Sequence, residues 1–223
     1  MNREIFIGDV QGCCDELMDL LDELAWRPER DRLFFVGDTI NRGPKSAAVL
    51  DFLLEHPAAR SVLGNHEWHL LNFANFRAAR AAPGFRRTAL QLKPRWDEYL
   101  RLIKAFPAFI ESRRWLLVHG GLRPGLHPKD TPVADLVHLR EIEIERQGRA
   151  VREPWYDHYA GRKLVIFGHW AQRGLVNEKR VRGLDSGCVY GGSLSALVLP
   201  EDRIISVPSR HQYYDPVKKK ELW

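Results

Sequence analysis

The feature that most constrains this chain is a series of five short polar blocks, each of which directly follows an apolar stretch. In order, they are GDVQG at 8–12, GDTINRG at 37–43, GNHE at 64–67, VHGG at 118–121 and FGHW at 167–170. Loops that follow neighbouring strands of an open α/β sheet converge at one edge, where such sheets bind ligands. The blocks therefore predict a fold that brings their Asp, Asn, Gln and His side chains to one crevice.

Strand and helix patterns alternate around the first two blocks. Residues 4–7 are apolar enough for a buried strand, and residues 13–26 carry leucines at helical spacing. The same order repeats with a predicted strand at 33–36 and a predicted helix at 46–55. Two such units, each with a strand, a Gly-Asp pair and a helix, predict a largely parallel, layered α/β core.

Later apolar runs extend this prediction to a sheet of mixed sense or to two stacked sheets. Strands are predicted at 61–63, 115–118 and 164–167, and a closing set of antiparallel strands at 181–184, 194–199 and 203–207. Residues 68–82 and 95–106 are predicted helices, whereas 122–162 is charged and interrupted by proline. We predict one domain, 1–223, in which segments 68–112 and 122–162 form caps that select the substrate.

Composition favours a soluble protein with anionic partners. The 223 residues carry a formal charge of +5, which favours partners such as phosphates. No apolar run approaches the roughly 20 residues of a membrane helix, and the first residues do not resemble a signal peptide, so we expect a cytoplasmic protein without a membrane partner. Cys13, Cys14 and Cys188 fit neither a disulfide framework nor a paired zinc motif and are interpreted as reduced, partly buried thiols. The basic run 218–220 is typical of a solvated tail.

Each block also has an ordinary structural interpretation when it is taken alone. A Gly-Asp pair after a strand commonly forms a turn with a helix-capping Asp, and a lone His at a strand end is more often hydrogen-bonded than a ligand. Glu67 is favourable in the first turn of a helix without any metal, and Asp185 is interpreted as capping the turn before Gly187. Together, however, the blocks supply the carboxylate, amide and imidazole donors that divalent metals bind.

The ordered blocks resemble the motifs of the calcineurin-like metallophosphoesterases, which are GDxHG, GDxxDRG, GNHE or GNHD, a His after a late strand, and GH. The resemblance spans residues 5–207. FGHWAQRG at 167–174 and GLDSGCVYGGSLSAL at 183–197 are most similar to the symmetrical bis(5′-nucleosyl)-tetraphosphatases. This resemblance implies a layered α/β/β/α sandwich with mixed sheets, two divalent metal ions, and cleavage of diadenosine tetraphosphate into two ADP.

The resemblance also implies roles for individual residues. The implied metal ligands are Asp9, Gln11, Asp38, Asn65, His119 and His169, with Asp38 bridging the two ions. A hydroxide held by both ions would attack phosphorus, and the residues assigned to catalysis are Asp38, His66 and Arg42. His66 would be the general acid or a hydrogen-bond donor to the transferred phosphoryl group, and Arg42 would grip phosphate oxygens through its planar guanidinium.

Further candidate contacts with the substrate lie outside the metal ligands. They are Asn41 beside Arg42 in the second block, and Arg123 and Arg140 as basic residues of the predicted cap at 122–162. Three aromatic residues are candidates to stack on adenine, although aromatic residues near strand ends more often belong to the core. These are Trp170, Tyr190 and Tyr156.

Two departures from the broad family pattern refine this interpretation. Gln11 stands where GDxHG has histidine, and an amide oxygen is a weaker ligand than imidazole for zinc or ferrous iron. We therefore expect Mn²⁺, with Co²⁺, Fe, Zn²⁺ and Mg²⁺ as alternatives, or a water in place of Gln11. Asn41 replaces the Asp of DRG, which in phosphoprotein phosphatases orients and charges the GNH histidine. Asn41 would orient His66 without stabilising its charged form.

Three functions stay open at this point. The first is hydrolysis of dinucleoside polyphosphates, with capped RNA 5′ ends as a larger substrate that shares the polyphosphate bridge. The second is a phosphomonoesterase or serine/threonine protein phosphatase of the same fold. The third is a non-catalytic nucleotide-binding protein that has lost activity through the changes at Gln11 and Asn41. The sequence makes no prediction of the oligomeric state.

Overall fold

The computed structural model describes residues 3–73 and 75–222, apart from the side chains of residues 220 and 221. Its strands, in chain order, are β1 (Glu4–Ile7), β2 (Arg32–Phe35), β3 (Arg60–Ser61), β4 (Phe109–Glu111), β5 (Trp115–Val118), β6 (Glu141–Arg146), β7 (Arg149–Pro154), β8 (Leu164–Phe167), β9 (Val176–Glu178), β10 (Val181–Gly183), β11 (Ser193–Leu199), β12 (Arg203–Pro208), β13 (Tyr214–Asp215) and β14 (Lys220–Glu221). Its helices are α1 (Cys14–Glu23), α2 (Ser46–Glu55), α3 (Asn65–Leu71), α4 (Phe76–Ala81), α5 (Arg86–Leu92), α6 (Trp96–Lys104) and α7 (Val133–His138). Within these described ranges, no helix is long and apolar enough to cross a membrane.

Two five-stranded sheets of mixed sense form the centre of the fold. The first has the strand order β12-β11-β1-β2-β3, and the second has the order β4-β5-β8-β10-β9. In the first sheet β1, β2 and β3 run parallel, and β11 joins β1 in the antiparallel sense. In the second sheet β5, β8 and β10 run parallel, and β4 and β9 are antiparallel edge strands. The predicted α/β fold with mixed sheets is confirmed.

The closing set of antiparallel strands predicted from the sequence is correct only in part. β11 and β12 pair antiparallel as predicted. β10, however, pairs parallel with β8 and antiparallel with β9, a strand that the sequence did not predict. The apolar residues of 181–184 indicate a strand but not its neighbours, because the direction of a strand is set by the connection that precedes it.

Aromatic side chains fill the space between the two sheets. Phe6 of β1 stacks on Phe34 of β2 with ring centroids 5.0 Å apart, and Trp115 of β5 meets Phe6 edge-on at 4.9 Å. On the outer face of the first sheet, α1 and α2 pack through buried residues such as Leu17. On the outer face of the second, α7 and the short 3₁₀ turn at Trp155–His158 supply the cover. The layers therefore follow the order α/β/β/α.

The two predicted cap segments contain more regular structure than the sequence suggested. The predicted helix at 68–82 is divided, because α3 ends at Leu71 and Asn75 begins α4 by accepting a hydrogen bond from the Ala78 amide at 3.0 Å. α5 forms where no helix was predicted. Segment 122–162 holds α7 and the hairpin β6–β7, whose EIEIE alternation at 141–145 has the period of a strand.

Two glycines allow the loops at the sheet edge to approach closely. A Cβ at Gly64 would lie 2.1 Å from the Asp38 amide nitrogen, and one at Gly168 would lie 2.0 Å from Asp9 Oδ1. Neither position has room for a side chain. Glycine is therefore required there for the GNHE block to reach Asp38 and for the FGHW block to reach Asp9.

Candidate active site

A cavity of about 760 Å³ opens where β1, β2 and β8 end, and its volume is typical of sites for small ligands. Asp9 and His119 are buried, at 4% and 0% exposure, and do not line it. Other predicted site residues line the cavity together with residues from the caps and the last third of the chain: Gln11, Asp38, Arg42, Asn65, His66, Arg140, His169, Gln172, Asp185, Tyr190, Tyr214 and Lys219.

Several of these residues hold an unusual backbone conformation. Five non-glycine residues of the blocks have positive φ angles: Gln11 at 47°, Asp38 at 48°, Asn41 at 80°, Arg42 at 64° and His169 at 71°. This region is unfavourable for residues with a Cβ and is found where surrounding contacts enforce it, often at functional sites. The fold therefore holds these loops in one conformation at the cost of local strain.

Glu67 is the main brace of the loop that carries Asp38. Its Oε2 accepts hydrogen bonds from the amides of Asp38 (2.9 Å) and Gly64 (3.1 Å). Its Oε1 accepts from the Thr39 amide (2.7 Å), the Thr39 hydroxyl (2.9 Å) and the Ile40 amide (3.1 Å). Because five donors occupy both oxygens, Glu67 positions Asp38 and is not available as a metal ligand.

The side chains of Asn65, His119 and His169 meet at one point. His119 Nδ1 donates to the Val36 carbonyl at 2.9 Å, and His169 Nε2 faces the His138 carbonyl at 3.2 Å. Each ring therefore carries its proton on the far nitrogen. The near nitrogens, His119 Nε2 and His169 Nδ1, lie 2.9 and 2.7 Å from Asn65 Oδ1. Three acceptor atoms cannot face one another at these distances without a proton or a cation between them.

Asp38 completes this donor set. Ligand atoms of Asp38, His119 and His169 all lie within 4.8 Å of one another, and all three residues are buried. Burial alone would lower the pKa of His119, but the Asp38 carboxylate overrides it and raises that pKa to about 10. Burial and the neighbouring His119 lower the pKa of His169 well below its usual value. A proton on His119 thus occupies the place that suits a divalent cation, and the residues fit the metal that the sequence implied.

The other half of the implied metal centre is less regular. Both oxygens of Asp9 accept from the His169 amide, at 3.2 and 3.1 Å, and Gln11 Nε2 donates to Asp38 Oδ2 at 3.3 Å. Asp185 is 6% exposed and its Oδ1 accepts from the Gly187 amide at 3.1 Å, as predicted for a turn cap. Burial and the Asp185 charge raise the pKa of Asp9 well above its usual value, and burial raises the pKa of Asp185 to about 6. Asp9, Asp38 and Asp185 together form an acidic environment that favours a cation.

His66 belongs to a hydrogen-bonded chain that the sequence revealed only in part. The Thr88 hydroxyl donates to Asn41 Oδ1 at 2.7 Å, which turns the Asn41 amide nitrogen towards His66 Nδ1 at 2.8 Å. His66 Nδ1 is then an acceptor, so the ring proton is on Nε2. Nε2 lies 3.6 Å from Asp38 Oδ2 and has no hydrogen-bond partner among the described residues. Burial lowers the pKa of His66 to about 3, so the ring is neutral.

Arg42 is held at the cavity by two tyrosines. Its Nη1 donates to the Tyr190 hydroxyl, and its guanidinium carbon lies 5.5 Å from the Tyr190 ring centroid and 5.1 Å from that of Tyr214. Arg140 lines the same cavity and donates from Nη2 to the His169 carbonyl at 2.8 Å. Lys219, part of the run predicted to be a solvated tail, also lines the cavity.

Three sequence candidates lie elsewhere. Arg123 pairs with Asp135 at the surface, with N–O distances of 2.6 and 3.1 Å, and does not line the cavity. Tyr156 is buried in the core of the second sheet, and its hydroxyl accepts from Arg173 at 2.9 Å. Trp170 packs at the edge of that core. Of the three aromatic candidates, the structure brings only Tyr190 to the cavity.

Three residues near the site were not predicted from the sequence: Thr88, Tyr214 and Lys219. Thr88 lies in α5, 47 residues from Asn41, and Tyr214 lies in the hairpin formed by β13 and β14. None of them belongs to a motif. The only available signal was polar and aromatic character in segments without a clear core pattern.

Comparisons with known proteins identify the family of this chain. The profile of the calcineurin-like phosphoesterase family matches residues 3–192. The symmetrical bis(5′-nucleosyl)-tetraphosphatase of Paracidovorax citrulli is 32% identical, in an alignment that covers 86% of this chain and 90% of that protein. The asymmetrical bis(5′-nucleosyl)-tetraphosphatase PrpE of Halalkalibacterium halodurans is 31% identical, in an alignment that covers 92% of this chain and 93% of that protein.

A solved structure agrees as well. A crystal structure of a protein provisionally described as a diadenosine tetraphosphatase has a TM-score of 0.78 and 32% identity, and covers 93% of this chain and 94% of that one. The family profile spans the five blocks, and the relatives named above match nearly the whole chain. These findings oppose the hypothesis of a non-catalytic nucleotide-binding protein. The chain belongs to the calcineurin-like phosphoesterase family and is a metal-dependent phosphohydrolase.

Proposed function

We propose that this protein hydrolyses dinucleoside tetraphosphates at a phosphoanhydride bond. The observation that carries this proposal is the chain from Thr88 through Asn41 to His66, which leaves His66 neutral with its proton on Nε2. The relatives named above are bis(5′-nucleosyl)-tetraphosphatases of both symmetrical and asymmetrical kinds, which supports the same substrate class.

A neutral His66 suits an anhydride better than a phosphate monoester. Cleavage of the tetraphosphate bridge releases a nucleotide whose terminal phosphate is a stable anion and needs no proton. Cleavage of a serine or threonine phosphate releases an alkoxide, which needs a general acid. A neutral imidazole that gave up its Nε2 proton would become an anion, so His66 acts as a hydrogen-bond donor to the transferred phosphoryl group. This disfavours the protein phosphatase alternative.

Two divalent ions, with Mn²⁺ as the proposed metal, would complete the site. Asp9, Gln11 and Asp38 would hold the first ion. Asp38, Asn65, His119 and His169 would hold the second, where the acceptor atoms already converge. When bound, the ions would activate water for attack and neutralise phosphoryl oxygens.

Cationic and aromatic groups around the cavity fit the rest of such a substrate. Arg42, Arg140 and Lys219 line it and carry the charge that a polyphosphate requires. Both predicted caps reach the site, because Thr88 belongs to segment 68–112 and Arg140 to segment 122–162. We therefore assign substrate selection to these two segments and a nucleobase contact to Tyr190 or Tyr214.

We also propose the products of the reaction and a second class of substrate. The similarity of 167–174 and 183–197 to symmetrical enzymes favours two ADP as products. Capped RNA 5′ ends share the polyphosphate bridge and are a second candidate substrate. The cytoplasmic location predicted from the sequence stays a prediction.

The test compares diadenosine tetraphosphate with a phosphopeptide and a simple aryl phosphate, in Mn²⁺, with the products separated by chromatography. We expect the anhydride to be the preferred substrate and ADP to be the sole product. AMP with ATP would instead indicate asymmetric cleavage. Comparable efficiency on the phosphopeptide would contradict the proposal.

A matched variant tests the role of the neutral histidine. Asn41→Asp places a carboxylate beside His66 Nδ1 and stabilises the charged ring. We expect the ratio of phosphopeptide to anhydride activity to rise by about 10-fold or more, within the range of general acid catalysis. Thr88→Val removes the hydroxyl that orients Asn41 and should lower the anhydride rate without this shift in ratio.

A further inference from the structure

Two buried cysteines and a buried glutamate lie together outside the catalytic cavity. Cys13 directly precedes α1, Glu16 lies in the first turn of α1, and Cys188 lies in the loop between β10 and β11. Cys13 and Glu16 are 0% exposed and Cys188 is 2% exposed. The two sulfur atoms and one carboxylate oxygen of Glu16 all lie within 4.8 Å of one another, and none of the three residues lines the catalytic cavity.

Glu16 has an unsatisfied oxygen at this cluster. Its Oε1 accepts hydrogen bonds from the Tyr213 hydroxyl at 2.8 Å and from the Arg210 amide at 2.9 Å. Its Oε2 is buried without a hydrogen-bond partner among the described residues. A buried carboxylate oxygen without a hydrogen-bond donor is destabilising, whereas a bound cation would satisfy it.

We propose that Cys13, Cys188 and Glu16 bind a thiophilic divalent cation of the zinc type, at a site distinct from the catalytic centre. Sulfur ligands favour zinc-like ions, whereas the oxygen-rich half of the catalytic centre favours harder ions such as Mn²⁺. The Tyr213 hydroxyl donates to Oε1 of Glu16 and so helps to fix the position of the carboxylate in the cluster.

The position of this site gives it a structural role. Cys13 directly follows the loop of Asp9 and Gln11, and Cys188 lies three residues after Asp185, in the loop that also brings Tyr190 to the cavity. A cation shared by the two cysteines would connect the first-metal loop to the loop that holds Arg42 through Tyr190. It would stabilise the walls of the active site without contacting the substrate.

Cobalt(II) is the probe that tests this site. Cobalt thiolate bonds give an intense near-ultraviolet charge-transfer band, and the catalytic ligands include no cysteine, so the band reports the new site alone. We expect wild-type protein loaded with Co²⁺ to show this band and to bind one ion per chain more than Cys188→Ser. Cys13→Ser and Cys188→Ser should both lose the band, and Glu16→Gln should shift or weaken it.

Cys14→Ser is the matched control, because Cys14 is adjacent to Cys13 and buried but does not belong to the cluster. It should retain the band and the extra ion. Wild-type protein that binds Co²⁺ without a thiolate band would overturn the proposal, as would a band that survives in both cluster variants. A disulfide between Cys13 and Cys188 in protein purified with zinc would overturn it as well. These readouts do not depend on catalytic activity.

Discussion

The two halves of the implied metal centre differ in how far their ligands are already arranged before a metal binds. In the half formed by Asn65, His119 and His169, backbone carbonyls fix both imidazoles so that their near nitrogens meet at the Asn65 oxygen. In the half formed by Asp9 and Gln11, the oxygens of Asp9 already accept from an amide, and the Gln11 nitrogen faces Asp38. One half is organised before a metal binds, and the other must rearrange.

This difference has a physical origin in the supporting contacts. Hydrogen bonds to the far nitrogen of a histidine ligand fix its tautomer and orientation, which reduces the cost of binding a metal. Gln11 makes no such contact through its oxygen among the described residues, and a neutral amide is a weaker ligand than imidazole. We therefore expect the second site to bind its ion more tightly than the first.

Removing the residue shared by both halves should have the largest effect. Asp38→Asn keeps the shape of the side chain but removes the charge placed between the two sites. We expect the rate of tetraphosphate hydrolysis to fall by about 10³-fold, equivalent to about 4 kcal/mol. Asp19→Asn is the control, since Asp19 pairs with Arg210 at the surface. Retention of more than a tenth of the wild-type rate would contradict the shared role of Asp38.

Breaking one half at a time should separate the two sites. His119→Ala removes a fixed ligand, and we expect the affinity of the second site to fall by about 100-fold or more. Gln11→Ala should weaken the first site by less than about 10-fold, since it removes only a weak neutral ligand. Calorimetric titration of metal-free protein with Mn²⁺ measures both. Equal losses in the two variants would show that the halves are equally prepared.

Restoring the ligand type of the broad family should reduce the asymmetry. Gln11→His places an imidazole at the first site, and we expect about 10-fold tighter binding there, with a preference that moves from Mn²⁺ towards zinc. Competition between the two ions, followed by measurement of bound metal, gives this shift. An unchanged preference would indicate that water, not Gln11, completes the first site.

The sequence could predict the position of the site because strand ends carry its residues. Apolar runs such as 4–7 and 115–118 locate strands, and the polar residue after each run must lie at the sheet edge. The carboxylate, amide and imidazole groups of these residues then indicate a site for divalent metals. These inferences need only local patterns and the general geometry of parallel sheets.

The remaining features depend on contacts between distant segments. Thr88 orients Asn41 across 47 residues, and Glu67 accepts through both oxygens from a loop 27 to 29 residues away, so neither role has a local signature. Arg123 and Arg140 are both basic residues of the same cap, and only the tertiary structure separates them. Arg123 pairs with Asp135, whereas Arg140 reaches the cavity.

The difference between Arg123 and Arg140 gives the smallest expected effect. It also connects the cap at 122–162 to the half of the metal centre that contains His169. Arg140 donates to the carbonyl of His169 and faces the cavity, so Arg140→Ala should raise KM for the tetraphosphate by about 10-fold, the value of one charge-assisted hydrogen bond. The value of kcat should change less, because a contact that binds the substrate and the transition state equally affects KM and not kcat. Arg123→Ala, which loses only a surface ion pair, should leave both constants unchanged. A matching rise in KM for both variants would instead indicate a general effect of cap charge.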